Sequence, residues 1–172
     1  MRKGLFHIFS KDEMKNEKRI ISHARNDPKI DSVLGKNGKR YSISDALERK
    51  VDWIQIDVGF LSEQEKDTVL NLCKYAVVNG SHTVMGEIMG GKSKPIIGIP
   101  IYDEHTNNIR WAEEKNLGVL ATKTNKVIHA IQKIKENYDE FTDNLHEFSQ
   151  NFDPKGAENS AKIAAQVLEE KR

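Results

Sequence analysis

The stretch Asn79-Gly80-Ser81-His82-Thr83 has the residue types and spacing to hold an anion. Gly80 lets the backbone turn tightly between an apolar run, Tyr75–Val78, and a helical pattern reaching about Gly90. The free amides and dipole at such a helix N-terminus favour a group like a diphosphate. Plain capping by Ser81 or Thr83 is the alternative reading of the same residues. Glu87 lies about one turn into that helix, where its carboxylate can accept paired hydrogen bonds from the vicinal hydroxyls of a ribose. It also suits the helix dipole alone. Asp103-Glu104-His105 follows the apolar run Pro95–Ile99, a place suited to binding sugar hydroxyls. Because the three are adjacent their side chains diverge, and no second cluster completes a coordination shell, so no metal is expected. His7, His23, His129 and His146 are scattered and form no catalytic pattern.

Other chemistries lack their signatures. Gly91-Lys92-Ser93 has the letters of a Walker A ending, but it follows a helix instead of opening one. There is no Gly-x-Ser-x-Gly elbow, no His-Glu-x-x-His and no Gly-x-Gly-x-x-Gly. Hydrolase, zinc-peptidase and dinucleotide-dehydrogenase readings therefore have no positive support, and no cofactor is expected. With 27 Lys+Arg against 26 Asp+Glu, the chain lacks the basic excess of a nucleic-acid binder. The one cysteine, Cys73, ends the apolar stretch Val69–Cys73 and reads as a buried core thiol in a reducing compartment. No apolar run approaches the roughly 20 residues that cross a bilayer. Leu5–Phe9 is too short for a signal-peptide core and leads into Lys11-Asp12-Glu13. The expectation is a cytoplasmic protein whose membrane contact comes only through a partner.

The elements that position these residues alternate. Strands are predicted at Leu5–Phe9, Ile30–Leu34, Trp53–Val58, Tyr75–Val78, Pro95–Ile99 and Val119–Ala121, with a polar helix over Asp12–Arg25. Trp53–Val58 places Ile54, Ile56 and Val58 on one face and Trp53, Gln55 and Asp57 on the other. Ser62-Glu63-Gln64-Glu65 is a capping-box pattern opening a helix. Asn107 is placed to cap another helix, ended by Gly118 at the left-handed C′ position. Asp153-Pro154 reads as N-cap and N1 of a last helix with Ala161, Ala164, Val167 and Leu168 on one face. The polar Gly35–Arg40 stretch reads as a flexible loop. Within 172 residues this pattern predicts one α/β domain, residues 1–172, Rossmann-like and three-layered, with a mostly parallel sheet of about six strands. Ligands of such sheets bind beyond the strands' carboxyl ends, at Gly59-Phe60-Leu61, Asn79–Thr83 and Ile101–Asn108.

From Gly59 to Gly118 the order of features resembles the C-terminal, nucleotide-sugar-binding domain of GT-B fold glycosyltransferases, most closely family 28. The landmarks are Gly59-Phe60, Tyr75–Gly80, Thr83, Glu87, Lys94-Pro95 through Pro100, Glu104-His105-Thr106-Asn107-Asn108, Trp111-Ala112 and Gly118. The resemblance implies half of a GT-B fold and a UDP-sugar donor. By it, Phe60 and its loop contact the base, and Gly80, Ser81, His82 and Thr83 face the diphosphate. Glu87 holds the ribose, Glu104 and His105 reach the donor sugar or ribose, and Asn108 braces their loop. The sequence departs from the family in five places. His105 stands where Gln is usual, and Ile109 where a small Ala is usual. Thr83 is one residue early relative to Glu87, and Gly91–Lys94 adds a residue before Pro95. The family's first strand also ends in a glycine-rich loop, whereas Phe9-Ser10-Lys11-Asp12 has no glycine.

Family members take the acceptor, and usually the catalytic base, from an N-terminal domain for which this chain has no room. The resemblance therefore implies the donor-binding part of a hexosyltransferase, with GlcNAc one candidate sugar. The acceptor domain comes from elsewhere, as a separate subunit or the rest of a longer protein. The rival readings are a non-catalytic nucleotide or nucleotide-sugar module, a nucleotide-sugar epimerase on the same scaffold, and a flavodoxin-like binding protein.

Overall fold

The computed structural model describes Met14, residues 16–23, Asp27, residues 30–153 and residues 155–169. The expected strand Leu5–Phe9, the Phe9–Asp12 loop, His7 and Pro154 lie outside the described residues. Seven strands are described: β1 (Arg19–Ser22), β2 (Ser32–Gly35), β3 (Arg40–Tyr41), β4 (Trp53–Val58), β5 (Ala76–Val78), β6 (Ile96–Gly98) and β7 (Gly118–Leu120). Among them run α1 (Ile43–Glu48), α2 (Glu63–Leu72), α3 (His82–Met85) with its π-helical continuation Gly86–Gly91, and α4 (Asp103–Glu114). After the 3₁₀ turn Thr124–Lys126 come α5 (Val127–Glu136), α6 (Tyr138–Gln150) and α7 (Gly156–Glu169).

The protein is α/β, but a single mostly parallel sheet of about six strands is not what it builds. It forms a mixed four-stranded sheet, in the order β1-β4-β2-β3, and a separate three-stranded parallel sheet, β5-β6-β7. The physical cause is the Gly35–Arg40 stretch, which is a hairpin turn and not a flexible loop. Gly35 N donates to Lys39 O at 2.9 Å, Gly38 N to Gly35 O at 3.0 Å, and Gly38 adopts φ +78°. Asn37-Gly38 supplies the left-handed backbone that tight hairpins need, so β3 folds straight back on β2. α1 then carries the chain from β3 to β4, which runs in the sense of β3 and so lies antiparallel to β2.

The helix expected over Asp12–Arg25 is also corrected. Arg19–Ser22 pairs in parallel with Gln55–Val58 as β1, because β-branched Ile20 and Ile21 suit a pleated surface beside β4. β4 itself has the bounds and the two faces that its alternation predicts. Its polar face is buried: Gln55 is 2% and Asp57 3% exposed. The Asp57 carboxylate accepts from His23 Nε2 at 2.8 Å, Arg40 Nη1 at 2.9 Å and Gln55 Nε2 at 2.8 Å. Arg19 Nε in turn donates to Gln55 Oε1 at 2.7 Å, so the network spans three strands. Burial pushes the Asp57 carboxyl up, but the bonds from His23, Arg40 and Gln55 outweigh it and hold it below the usual carboxylate range.

The three-stranded sheet is covered on both faces. Ile97, Ile99 and Val119 pack with Val127, Ile131 and Ile134 of α5 on one side. Ile96 packs with Met85, Ile88, Ile109 and Leu145 on the other. Pro95–Ile99 is buried throughout, as its unbroken apolar run predicts. Two helices that the apolar runs do not single out, α5 and α6, complete these layers through Ile128, Ile131, Ile134, Phe141 and Leu145. The capping box of α2 forms in full: Ser62 N donates to Glu65 Oε2 at 2.8 Å and Glu65 N to Ser62 Oγ at 3.4 Å. Cys73 is half-buried where a core position is expected, and burial pushes its thiol up against the smaller opposing effect of Lys94. On α7, Ala161, Ala164, Val167 and Leu168 are exposed. Among the described residues no helix is long and apolar enough to cross a membrane.

Removing the Asp57 carboxylate takes away the buried acceptor that His23, Arg40 and Gln55 share, so Asp57→Ala is expected to cost about 3 kcal/mol at neutral pH. The carboxyl is depressed in the folded chain, so its stabilisation is complete above the unfolded value near pH ~4 and is lost as pH falls through the folded value. Urea unfolding at pH 7 and at pH 3 should therefore show the wild-type advantage over Asp57→Ala shrinking in acid. An unchanged gap would mean that the charge does not stabilise the sheet.

Candidate functional site

The residues singled out by type and spacing fall on three connections. After β5, Asn79 Oδ1 accepts from Ser81 N at 3.1 Å and Gly80 turns the chain at φ +92° into α3. A side chain there would be strained twice. The backbone sign favours glycine, and a Cβ at Gly80 would lie 2.7 Å from Ile109 Cδ1 and 2.9 Å from His105 O. Ser81 is the N-cap of α3 but makes no side-chain capping bond, so the capping alternative is not realised by Ser81. The first turn of α3, His82–Val84, carries no acid, and His82 and Thr83 are exposed.

After β6, the chain enters α4 at Asp103, four residues before the expected cap Asn107, with Tyr102 as an N-cap that makes no side-chain bond. Asp103-Glu104-His105 is thus the first turn of the helix and not a loop before it. The residue with left-handed backbone at its end is Asn116 (φ +52°), not Gly118. Gly118 opens β7 where a Cβ would come within 2.7 Å of Ile96 O. Glu104 is exposed, while His105 is half-buried with its ring edge-on to Tyr102, centroids 5.2 Å apart. His105 Nδ1 is shut off from solvent and has no hydrogen-bond partner among the described residues.

One bond fastens the two connections: Asn108 Nδ2 donates to Gly80 O at 3.1 Å. Beneath it Ile109, fully buried, fills the space left by two glycines, since a Cβ on Gly98 would meet Ile109 Cγ1 at 2.3 Å. Gly80, Ser81, His105 and Asn108 are therefore brought together. Two helix N-termini open side by side at the carboxyl ends of adjacent parallel strands. They are not equivalent. Asp103 and Glu104 make the start of α4 repel an anion and accept from hydroxyls, whereas the acid-free start of α3 attracts an anion.

Glu87 sits in the π-helical turn, half-buried, with Oε1 2.8 Å from Lys66 Nζ. Lys66 belongs to α2 and also meets Glu63 Oε2 at 2.8 Å. A second pair, Lys92 Nζ to Asp67 Oδ2 at 2.8 Å, joins the same two elements. Nothing local in the sequence marks Lys66, whose partner is 21 positions away and on another element. The Gly59-Phe60 connection belongs to the four-stranded sheet. Gly59 is held by Asp31 Oδ1 at 2.8 Å and by Ser22 Oγ at 3.3 Å, and the Phe60 ring is 73% exposed. Two shallow surface hollows lie between Leu61, Gln64, Glu65, Thr68 and Val69 and at Lys135–Glu140.

No family model matches this sequence, and no curated protein shows significant similarity to it. The geometry alone carries the chemistry available here: an anion at α3, hydroxyl acceptors at Glu87 and Glu104, and an exposed aromatic at Phe60.

The seat of α4 gives a direct check. Gly98→Ala is expected to cost about 1–3 kcal/mol through overpacking against Ile109. In an Ile109→Ala background the same change should cost much less, because the colliding side chain is gone. A double-mutant cycle by denaturant unfolding reads the coupling, and strictly additive costs would refute this packing.

Proposed function

We propose that this chain is the donor-binding part of a UDP-sugar-dependent glycosyltransferase, completed by an acceptor domain or subunit supplied elsewhere. The observation that carries this reading is the junction of Gly80 with Asn108. It sets an acid-free helix N-terminus beside a second N-terminus bearing Glu104 and His105. In that reading the diphosphate lies on the amides of His82 and Thr83, past Gly80 and Ser81, where it is neutralised by preorganised dipoles as it departs. Glu87 accepts from the ribose hydroxyls, Glu104 and His105 face the sugar, Asn108 braces the turn, and Phe60 on the Gly59 loop stacks on the base.

The departures from the family 28 pattern have local physical accounts. The bulk of Ile109 is accommodated by the missing side chains of Gly98 and Gly80. The extra residues, one between Thr83 and Glu87 and one in Gly91–Lys94, border the π-helical turn Gly86–Gly91, whose wider winding absorbs an insertion. The open surface over the junction suits a site whose other wall belongs to a second domain. A nucleotide-binding module without catalysis would use the same residues, and transfer activity upon addition of an acceptor-binding partner separates the two.

Thermal unfolding of the chain with UDP, UDP-GlcNAc, ADP and FMN tests the reading. A uridine nucleotide at about 100 times its Kd should stabilise by about 2.7 kcal/mol, and Glu87→Ala should abolish that gain. Without ligand, Glu87→Ala should cost less than about 1 kcal/mol, since it breaks one partly exposed ion pair. Stabilisation by FMN or ADP alone would overturn the proposal.

A further inference from the structure

The donor-site reading leaves Lys66 unexplained. Its ammonium lies between Glu87 Oε1 and Glu63 Oε2, 2.8 Å from each, although Glu63 is 88% exposed and gains little from a partner. α2, which carries Lys66, has no buried residue. It leans on the helix bearing Glu87 through the Lys66–Glu87 and Lys92–Asp67 pairs and the partly buried Leu70. From Glu87 back to Thr83 the helix rises only about 6 Å, within the sweep of a flexible four-carbon stem. The bonds to Glu63 and Glu87 also hold the Lys66 ammonium above the ordinary lysine range, so it stays charged at any working pH.

Resting on that reading, we infer that Lys66 is a phosphate-reading lysine of the nucleotide site, held beside it by Glu87. A ribose that takes the Glu87 carboxylate displaces the ammonium, and the nearest new anion is the diphosphate at the start of α3. Lys66 thereby couples the two halves of recognition. It competes with a bare nucleoside for Glu87, and it repays a nucleotide through its phosphates. It is a specificity determinant for phosphorylated ligands, distinct from the backbone amides.

Calorimetric titration of the full chain with UDP and with uridine at low salt tests this. The wild type should prefer UDP, and Lys66→Met should reduce the UDP-over-uridine preference about tenfold while uridine binds as well or better. Lys66→Arg should keep the preference. Lys66→Gln carries the same expectation as Lys66→Met should the latter not fold. Lys92→Met, which cuts the companion pair on the same helix, should leave the preference intact. An unchanged preference in Lys66→Met, or an equal loss in Lys92→Met, overturns the inference and leaves the donor site standing. A wild type that binds neither UDP nor uridine overturns the donor site itself, and this inference with it.

Discussion

Ile109 occupies space that exists only because Gly98 and Gly80 have no side chains. At this one close approach the first turns of α4 settle onto the β5 and β6 connections, the Asn108–Gly80 bond comes within reach, and the two helix N-termini face the same volume. Core packing tolerates few voids and little overlap, so the placement of this helix is defined to a fraction of an ångström. The polar residues above it inherit that definition. Glu104 and His105 are where they are because an isoleucine one turn later has a single place to go.

Much of the fold between Trp53 and Leu120 is legible in the sequence, and the reasons are local. Trp53–Val58 alternates, Pro95–Ile99 is apolar without a break, and Ser62 with Glu65 spells out its own cap; each carries its structure within a few residues. The misread elements depend on partners far along the chain. Arg19–Ser22 sits in polar surroundings and becomes a strand only because β4 lies beside it. Gly35–Arg40 reads as a flexible loop although Asn37-Gly38 is a hairpin signal, because the short β3 beyond it offers almost no pattern of its own. The same division runs through the site. Gly80 follows from turn chemistry and Asn108 from the family resemblance, while Lys66 reaches Glu87 across two elements and leaves no local trace.

The two sheets keep their interiors in different ways. The three-stranded sheet is covered with apolar side chains on both faces, and among the described residues the buried polar ones, Gln55 and Asp57, belong to the other sheet. The four-stranded sheet buries a carboxylate and satisfies it from β3, from β4 and from His23, with Arg19 of β1 bonded to Gln55 behind it. A network of that kind specifies register, because sliding one strand by a residue would strand every donor on the wrong face.

The π-helical turn has a consequence for how this chain can change over time. Phe152 packs close to the bare backbone of Gly90, where a Cβ would be 2.5 Å from its ring, and a Cβ on Gly86 would meet the same ring at 3.7 Å. Deleting one residue to restore an ordinary helix would leave the flanking turns in register but close the widened turn, and so shift Gly90 against the ring above it. The widened turn, its glycines and the aromatic from the end of α6 therefore form one heritable unit. Descendants of this sequence should keep all three or lose them together, and a lineage with the shorter helix should show a smaller side chain in the place of Phe152.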